Sequence, residues 1–69
     1  MKRQNNKIGI ELRIKRRKAG LTQYQVAGMT GIPRIDITRY ETGASMPPAH
    51  KYLLILDAIN NFLPASGAQ

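Results

Sequence analysis

Cysteine and tryptophan are absent from this chain of 69 residues, and histidine occurs once, as His50. Without cysteine there are no disulfides and no thiolate metal sites. A lone histidine cannot supply a two-histidine zinc site, and no Ser/His/Asp constellation stands out around it. Neither a metal, nor a cofactor, nor an enzymatic reaction is expected. Long apolar runs are missing too. The longest uncharged run, Ala19 to Pro33, is interrupted by Gly and Thr, whereas crossing a bilayer takes roughly 20 mostly apolar residues. The basic N-terminus leads into more charge, not into the apolar run of a signal peptide. The chain is short, and a domain of this size buries only about 60% of the surface that its unfolded form exposes. A deep pocket would use up most of such a core. These exclusions leave one small cytoplasmic domain, stabilised by helix packing, that works by binding.

Acidic residues are scarce: four Asp and Glu face 11 Lys and Arg, for a net charge of +7. The surplus sits at one end. Residues 1–18 hold Lys2, Arg3, Lys7, Arg13, Lys15, Arg16, Arg17 and Lys18 against Glu11. From residue 19 onward Arg34, Arg39 and Lys51 balance Asp36, Glu41 and Asp57. This asymmetry points to a polyanionic partner, either nucleic acid or an anionic membrane surface, with simple solubility as the plainer explanation.

The apolar spacing predicts an all-α fold of four short helices, with a short fifth as the only extension. Residues 1–5 read as a flexible basic arm, 6–63 as the folded domain and 64–69 as a frayed tail. The first helix is expected from about Asn6 to Ala19, with Ile8, Leu12, Arg16 and Ala19 on one face. Gly20 then acts as a stop, followed by the apolar Leu21. Thr22 and Gln25 have the spacing of a capping box. The second helix runs to about Thr30, burying Val26, Ala27 and Met29, and Gly31 ends it. Pro33 suits the first turn of a third helix, which reaches about Thr42 before Gly43. Pro47-Pro48 opens a fourth helix carrying Tyr52, Ile55, Leu56, Ala58 and Ile59, and Asn60-Asn61 ends it.

Two short helices joined at a glycine form the geometry of a helix-turn-helix, here at about 22–42. Ala27 lets the two helices approach, Gly31 supplies a positive φ and Ile37 anchors the second helix. The string Leu12-Arg13, Arg16, Gly20-Leu21-Thr22-Gln23, Val26-Ala27, Gly31-Ile32, Ile37-Thr38, Glu41, Gly43, Pro47 and Ala58-Ile59 resembles the Xre/Cro–cI family of phage-type repressors. The resemblance spans residues 8 to about 60. It implies a homodimer, at least on DNA, that represses transcription by binding a palindromic operator in double-stranded DNA. The sequence departs from the family in three places. Pro33 stands where Ser or Thr usually caps the third helix. A fifth helix that helps many members dimerise is not evident. Ala44-Ser45-Met46 lacks the bases that often grip phosphate before helix 4, which shifts that work to the arm and helix 1.

At about 100° per residue, with Arg34 set at zero, Thr38 falls at about 40°, Ile35 at about 100° and Arg39 at about 140°. Tyr40 and Ile37 fall on the other side, at about 240° and about 300°. Arg34, Ile35, Thr38 and Arg39 thus share one face, and the resemblance makes them the base-reading set. Each arginine suits the O6/N7 edge of guanine, or else a phosphate; Ile35 suits a thymine methyl, or is a singly exposed apolar residue. Thr38 suits a base or a phosphate. Thr22 and Gln23 open helix 2, where free amides favour a phosphate, and Lys2, Arg3 and Lys7 either follow the backbone or remain solvated. The resemblance makes Arg16 and Glu41 a structural salt bridge between helices 1 and 3. Tyr24 and Tyr40 are expected to pack or cap. Ile10 and Ile14 are expected to cover Phe62 and Leu63 or to form a dimer seam. The same face also suits an antitoxin or a regulator controlled by a second protein. A protein-interaction module without DNA, and a helix lying on a membrane surface, are the alternatives from other classes.

Overall fold

The computed structural model describes residues 7–62, which form four α-helices and no strand: α1 (Lys7–Lys18), α2 (Gln23–Thr30), α3 (Arg34–Thr42) and α4 (Ala49–Phe62). The expected arm, with Lys2 and Arg3, and the expected tail at 64–69 lie outside the described residues. Leu12, Leu21, Val26, Ile32, Ile37, Tyr40, Ile55 and Ile59 make one buried cluster, edged by Ile8, Ala19, Ala27, Tyr52 and Leu56. Burying an Ile, Leu or Val side chain contributes about 1.5–3 kcal/mol. Every helix supplies at least one member, so none buries its apolar side alone. α1 and α2 each pack on both α3 and α4.

The helix ends follow from local chemistry. At the end of α1 the Leu21 N–H donates to Arg16 O at 3.1 Å and the Gly20 N–H to Arg17 O at 3.0 Å. This paired closure requires a left-handed residue, and Gly20 has φ +78°. α2 opens on the capping box: the Gln25 N–H donates to Thr22 Oγ1 at 3.0 Å, and the Thr22 N–H to Gln25 Oε1 at 2.8 Å. At its other end the Thr30 hydroxyl donates to Val26 O at 2.8 Å and accepts the Ile32 N–H at 3.2 Å. Gly31 turns the chain at φ +78° and donates its N–H to Ala27 O at 2.9 Å. Ile32 can then drop into the core.

Three expectations are corrected. Pro33 is the N-cap of α3 rather than its first helical residue; its carbonyl accepts the Asp36 and Ile37 N–H groups, and no side chain caps the helix. Asn60-Asn61 does not end α4, which continues to Phe62. Asn costs a helix interior at most about 0.7 kcal/mol, a preference too weak to stop a helix by itself. Met29 is exposed instead of buried, because Val26 takes the inward side of an eight-residue helix. Phe62 lines a hollow with Met29 and Leu54, Ile10 and Ile14 are exposed, and Leu63, which they were also expected to cover, lies outside the described residues.

A Cβ added at Gly31 would meet no atom within 4 Å, so a substitution there is opposed by the backbone alone. Gly31→Ala is expected to cost about 1–2 kcal/mol, the left-handed penalty of an L-residue. Gly31→Asn should cost less, because Asn tolerates this region better. Urea unfolding of the three proteins checks the ranking.

Candidate nucleic-acid interface

α3 is sorted by side. Ile37 is 1% exposed, and Tyr40 and Glu41 are also buried. Ile35 is 56% exposed, Arg39 is exposed, and Arg34 and Thr38 are half-buried. The four residues of the expected base-reading face therefore all reach solvent on the side away from the core anchors. Asp36 lies in the first turn, where a carboxylate suits the helix dipole.

A polar chain fixes α3 from behind. Arg16 Nε donates to Glu41 Oε2 at 2.7 Å and Nη2 to Glu41 Oε1 at 3.0 Å, while Nη1 donates to Leu21 O at 2.8 Å. The side chains of the pair are only 12% and 4% exposed. One guanidinium thus ties α1 to α3 and to the α1–α2 turn. Gln23 Nε2 also donates to Glu41 Oε1, at 3.0 Å. Turned this way, the Gln23 carboxamide points its oxygen at α3. Thr38 Oγ1 lies 2.8 Å from Gln23 Oε1 and 3.1 Å from Arg34 O, with one hydroxyl hydrogen to share between them. Arg34 Nη1 lies 3.3 Å from the same Gln23 oxygen.

Gln23 therefore joins the structural pair to the exposed face, a link that sequence spacing did not reveal. It depends on a long-range approach, 18 residues from Glu41 and 15 from Thr38. Thr22 is exposed at the N-cap of α2, with its hydroxyl engaged in the capping box. Lys7 is the first residue of α1 and is exposed. Tyr24 differs from its expected packing role. It is 71% exposed, and the Arg34 guanidinium carbon lies 4.6 Å from its ring centroid. Tyr40 is buried in the core. Arg13 and Arg17 received no individual role from the sequence. Here they line a hollow with Ile10, Arg16, Gln23, Glu41 and Thr42, beside the start of α2. The basic surplus of residues 1–18 signalled them as a group, and the helical repeat of α1 places them about one turn apart.

Among the described residues no group of three or more His, Cys, Asp or Glu is placed to hold a metal ion, and no helix is long and apolar enough to cross a membrane.

Removing one partner of a buried ion pair strands the other, at a cost of about 3–5 kcal/mol. Arg16 keeps some exposure and its Leu21 carbonyl, so Glu41→Ala is expected near the low end, about 3 kcal/mol. At about 0.05–0.15 kcal/mol per residue, that is a large part of the stability of so short a domain. Glu41→Gln keeps one acceptor oxygen and should lose less. Denaturant unfolding followed by circular dichroism measures both.

A family model described as a helix-turn-helix domain matches residues 7–60, nearly all of the described chain. No curated protein and no solved structure matches. The short α2, the left-handed glycine turn, the outward side of α3 and the extent of the family match establish that the chain belongs to the helix-turn-helix domain family.

Proposed function

We propose that the chain is a sequence-specific DNA-binding transcriptional regulator of the Xre/Cro–cI type, acting as a repressor in the cytoplasm. Its family suggests a DNA-binding regulator, and helix-turn-helix domains are typically not enzymes. The observation that carries the finer reading is the sorting of α3, which turns Arg34, Ile35, Thr38 and Arg39 outward while Ile37, Tyr40 and Glu41 hold the helix down. With α3 in the major groove, Arg34 and Arg39 read guanine edges, Ile35 meets a thymine methyl and Thr38 meets a base or phosphate. Thr22 and Gln23 position the backbone, joined by Lys7 and, from outside the described residues, Lys2 and Arg3. The capping box uses the Thr22 and Gln25 amides and leaves those of Gln23 and Tyr24 at the helix start for a phosphate.

A homodimer on a palindromic operator adds two half-sites one helical turn apart, about 34 Å. Leu53, Leu54 and Phe62 on α4 are exposed and apolar, which supports self-association there. Ile10 and Ile14 suit a seam less, because α1 also carries Arg13, Arg17 and Lys18, whose charges repel across a two-fold.

The test is selection of bound duplexes from a random DNA pool at physiological salt, where nonspecific phosphate binding is weakened. An enriched inverted repeat is expected. A single unrepeated half-site would contradict the homodimer, and no enrichment would contradict sequence-specific readout. Arg39→Ala should relax preference at one base pair by about 1–3 kcal/mol. Arg13→Ala and Arg17→Ala should instead weaken all duplexes alike and reduce the salt slope by about 1 each. Fluorescence anisotropy across a salt series separates the two behaviours.

A further inference from the structure

Tyr24 is the most exposed large apolar side chain of the described residues, and it stands outside the core cluster. Its ring lies against the guanidinium of Arg34, with Cζ 4.6 Å from the centroid. Arg34 is held a second time at its tip. Nη1 lies 3.3 Å from Gln23 Oε1 and 3.4 Å from Thr38 Oγ1, and the Gln23 carboxamide is itself oriented by Glu41. A ring against the flat face and an acceptor at one tip together define the orientation of a planar group.

The consequence lies in the donors left over. A guanidinium has five N–H groups in a fixed fork. Those on Nη1 face Gln23 and Thr38, whereas Nε and Nη2 form no hydrogen bond among the described residues. Nε and Nη2 form one two-donor edge, and the O6/N7 edge of guanine is a matching pair of acceptors. An arginine free in solution must give up rotamer freedom to make that pair. One already stacked and tethered gives up less, so preorganisation passes into discrimination. Arg39 has no such arrangement: its side chain is exposed and stacks on no ring among the described residues.

We infer that Tyr24 is a positioning residue for base readout, holding the Arg34 guanidinium so that its Nε–Nη2 edge is presented to guanine. This rests on the DNA-reading function proposed above. Tyr24 makes the position read by Arg34, and not the position read by Arg39, depend on a residue of α2.

The test compares the wild-type chain with Arg34→Ala, Arg39→Ala, Tyr24→Leu and Tyr24→Phe by competition binding to the selected duplex and its single-base variants at one salt concentration. Leu keeps apolar bulk and is a better helix former than Tyr. Circular dichroism spectra and melting temperatures confirm that each variant is folded. Tyr24→Leu is expected to lower the guanine preference at the base pair that Arg34→Ala relaxes. The drop should be about two- to five-fold, the value of an exposed cation–π contact. It should leave the Arg39-dependent base pair and the affinity for nonspecific duplex unchanged, and Tyr24→Phe should behave as wild type. The inference is overturned if Tyr24→Leu keeps the full preference, if it relaxes both base pairs equally, or if Arg34→Ala relaxes none. A wild-type chain with no base preference at all would instead remove the DNA-reading function on which the inference stands.

Discussion

The bridge between Arg16 and Glu41 ties together the elements that carry the outward side of α3. It joins the first helix to the third across 25 residues and, through Leu21 O, reaches the turn that starts the second. An ion pair so nearly buried is favourable only with good geometry and satisfied neighbours. Both conditions are met: the contact is bidentate, the third arginine nitrogen has a carbonyl, and one carboxylate oxygen also accepts from Gln23. Apolar packing alone would hold α3 against the core, since Ile37 and Tyr40 bury wherever space permits. Burial of Ile37 and Tyr40 sets which side of α3 turns inward, and the directional bonds of Glu41 tie that side to α1 and to the start of α2.

The same chain of bonds divides the molecule into a rigid support and a presented surface. Glu41 orients Gln23, Gln23 engages Thr38 and Arg34, and Arg34 rests on Tyr24. The chain runs from buried Glu41 through half-buried Gln23, Thr38 and Arg34 to exposed Tyr24. A recognition surface benefits from such support, because ordering side chains beforehand lowers the entropic cost of binding. Charge follows a different plan. The basic residues of α1, with Arg13 and Arg17 at the hollow beside Gln23, supply attraction for a polyanion without base information.

Local features were the most legible in the sequence. The Thr22–Gln25 box, the glycine stops and the phase of α3 rest on spacings of five residues or fewer, set by helix geometry. The inward side of α1 followed from Ile8, Leu12, Arg16 and Ala19 for the same reason. The end of α4 is not legible from Asn60 and Asn61, because weak helix propensity alone does not stop a helix. The exposure of Met29 is not legible either, because apolar character does not say which side of a short helix turns inward. The roles of Gln23 and Tyr24 were hidden for another reason: both depend on where α3 lies relative to the start of α2. Only packing determines that distance, and no spacing within either helix records it.

We propose that the outward side of α3, supported through Gln23 by the Arg16–Glu41 bridge, is the surface that meets DNA. Titrating isotope-labelled protein with an operator duplex, followed by amide chemical shifts, tests it most directly. The largest changes should fall on Arg34, Ile35, Thr38 and Arg39, and on Thr22 and Gln23 at the start of α2. Large changes at Leu53, Leu54 and Phe62 accompanying a still α3 would contradict the claim, because the duplex would then be binding the wrong face of a correctly folded domain.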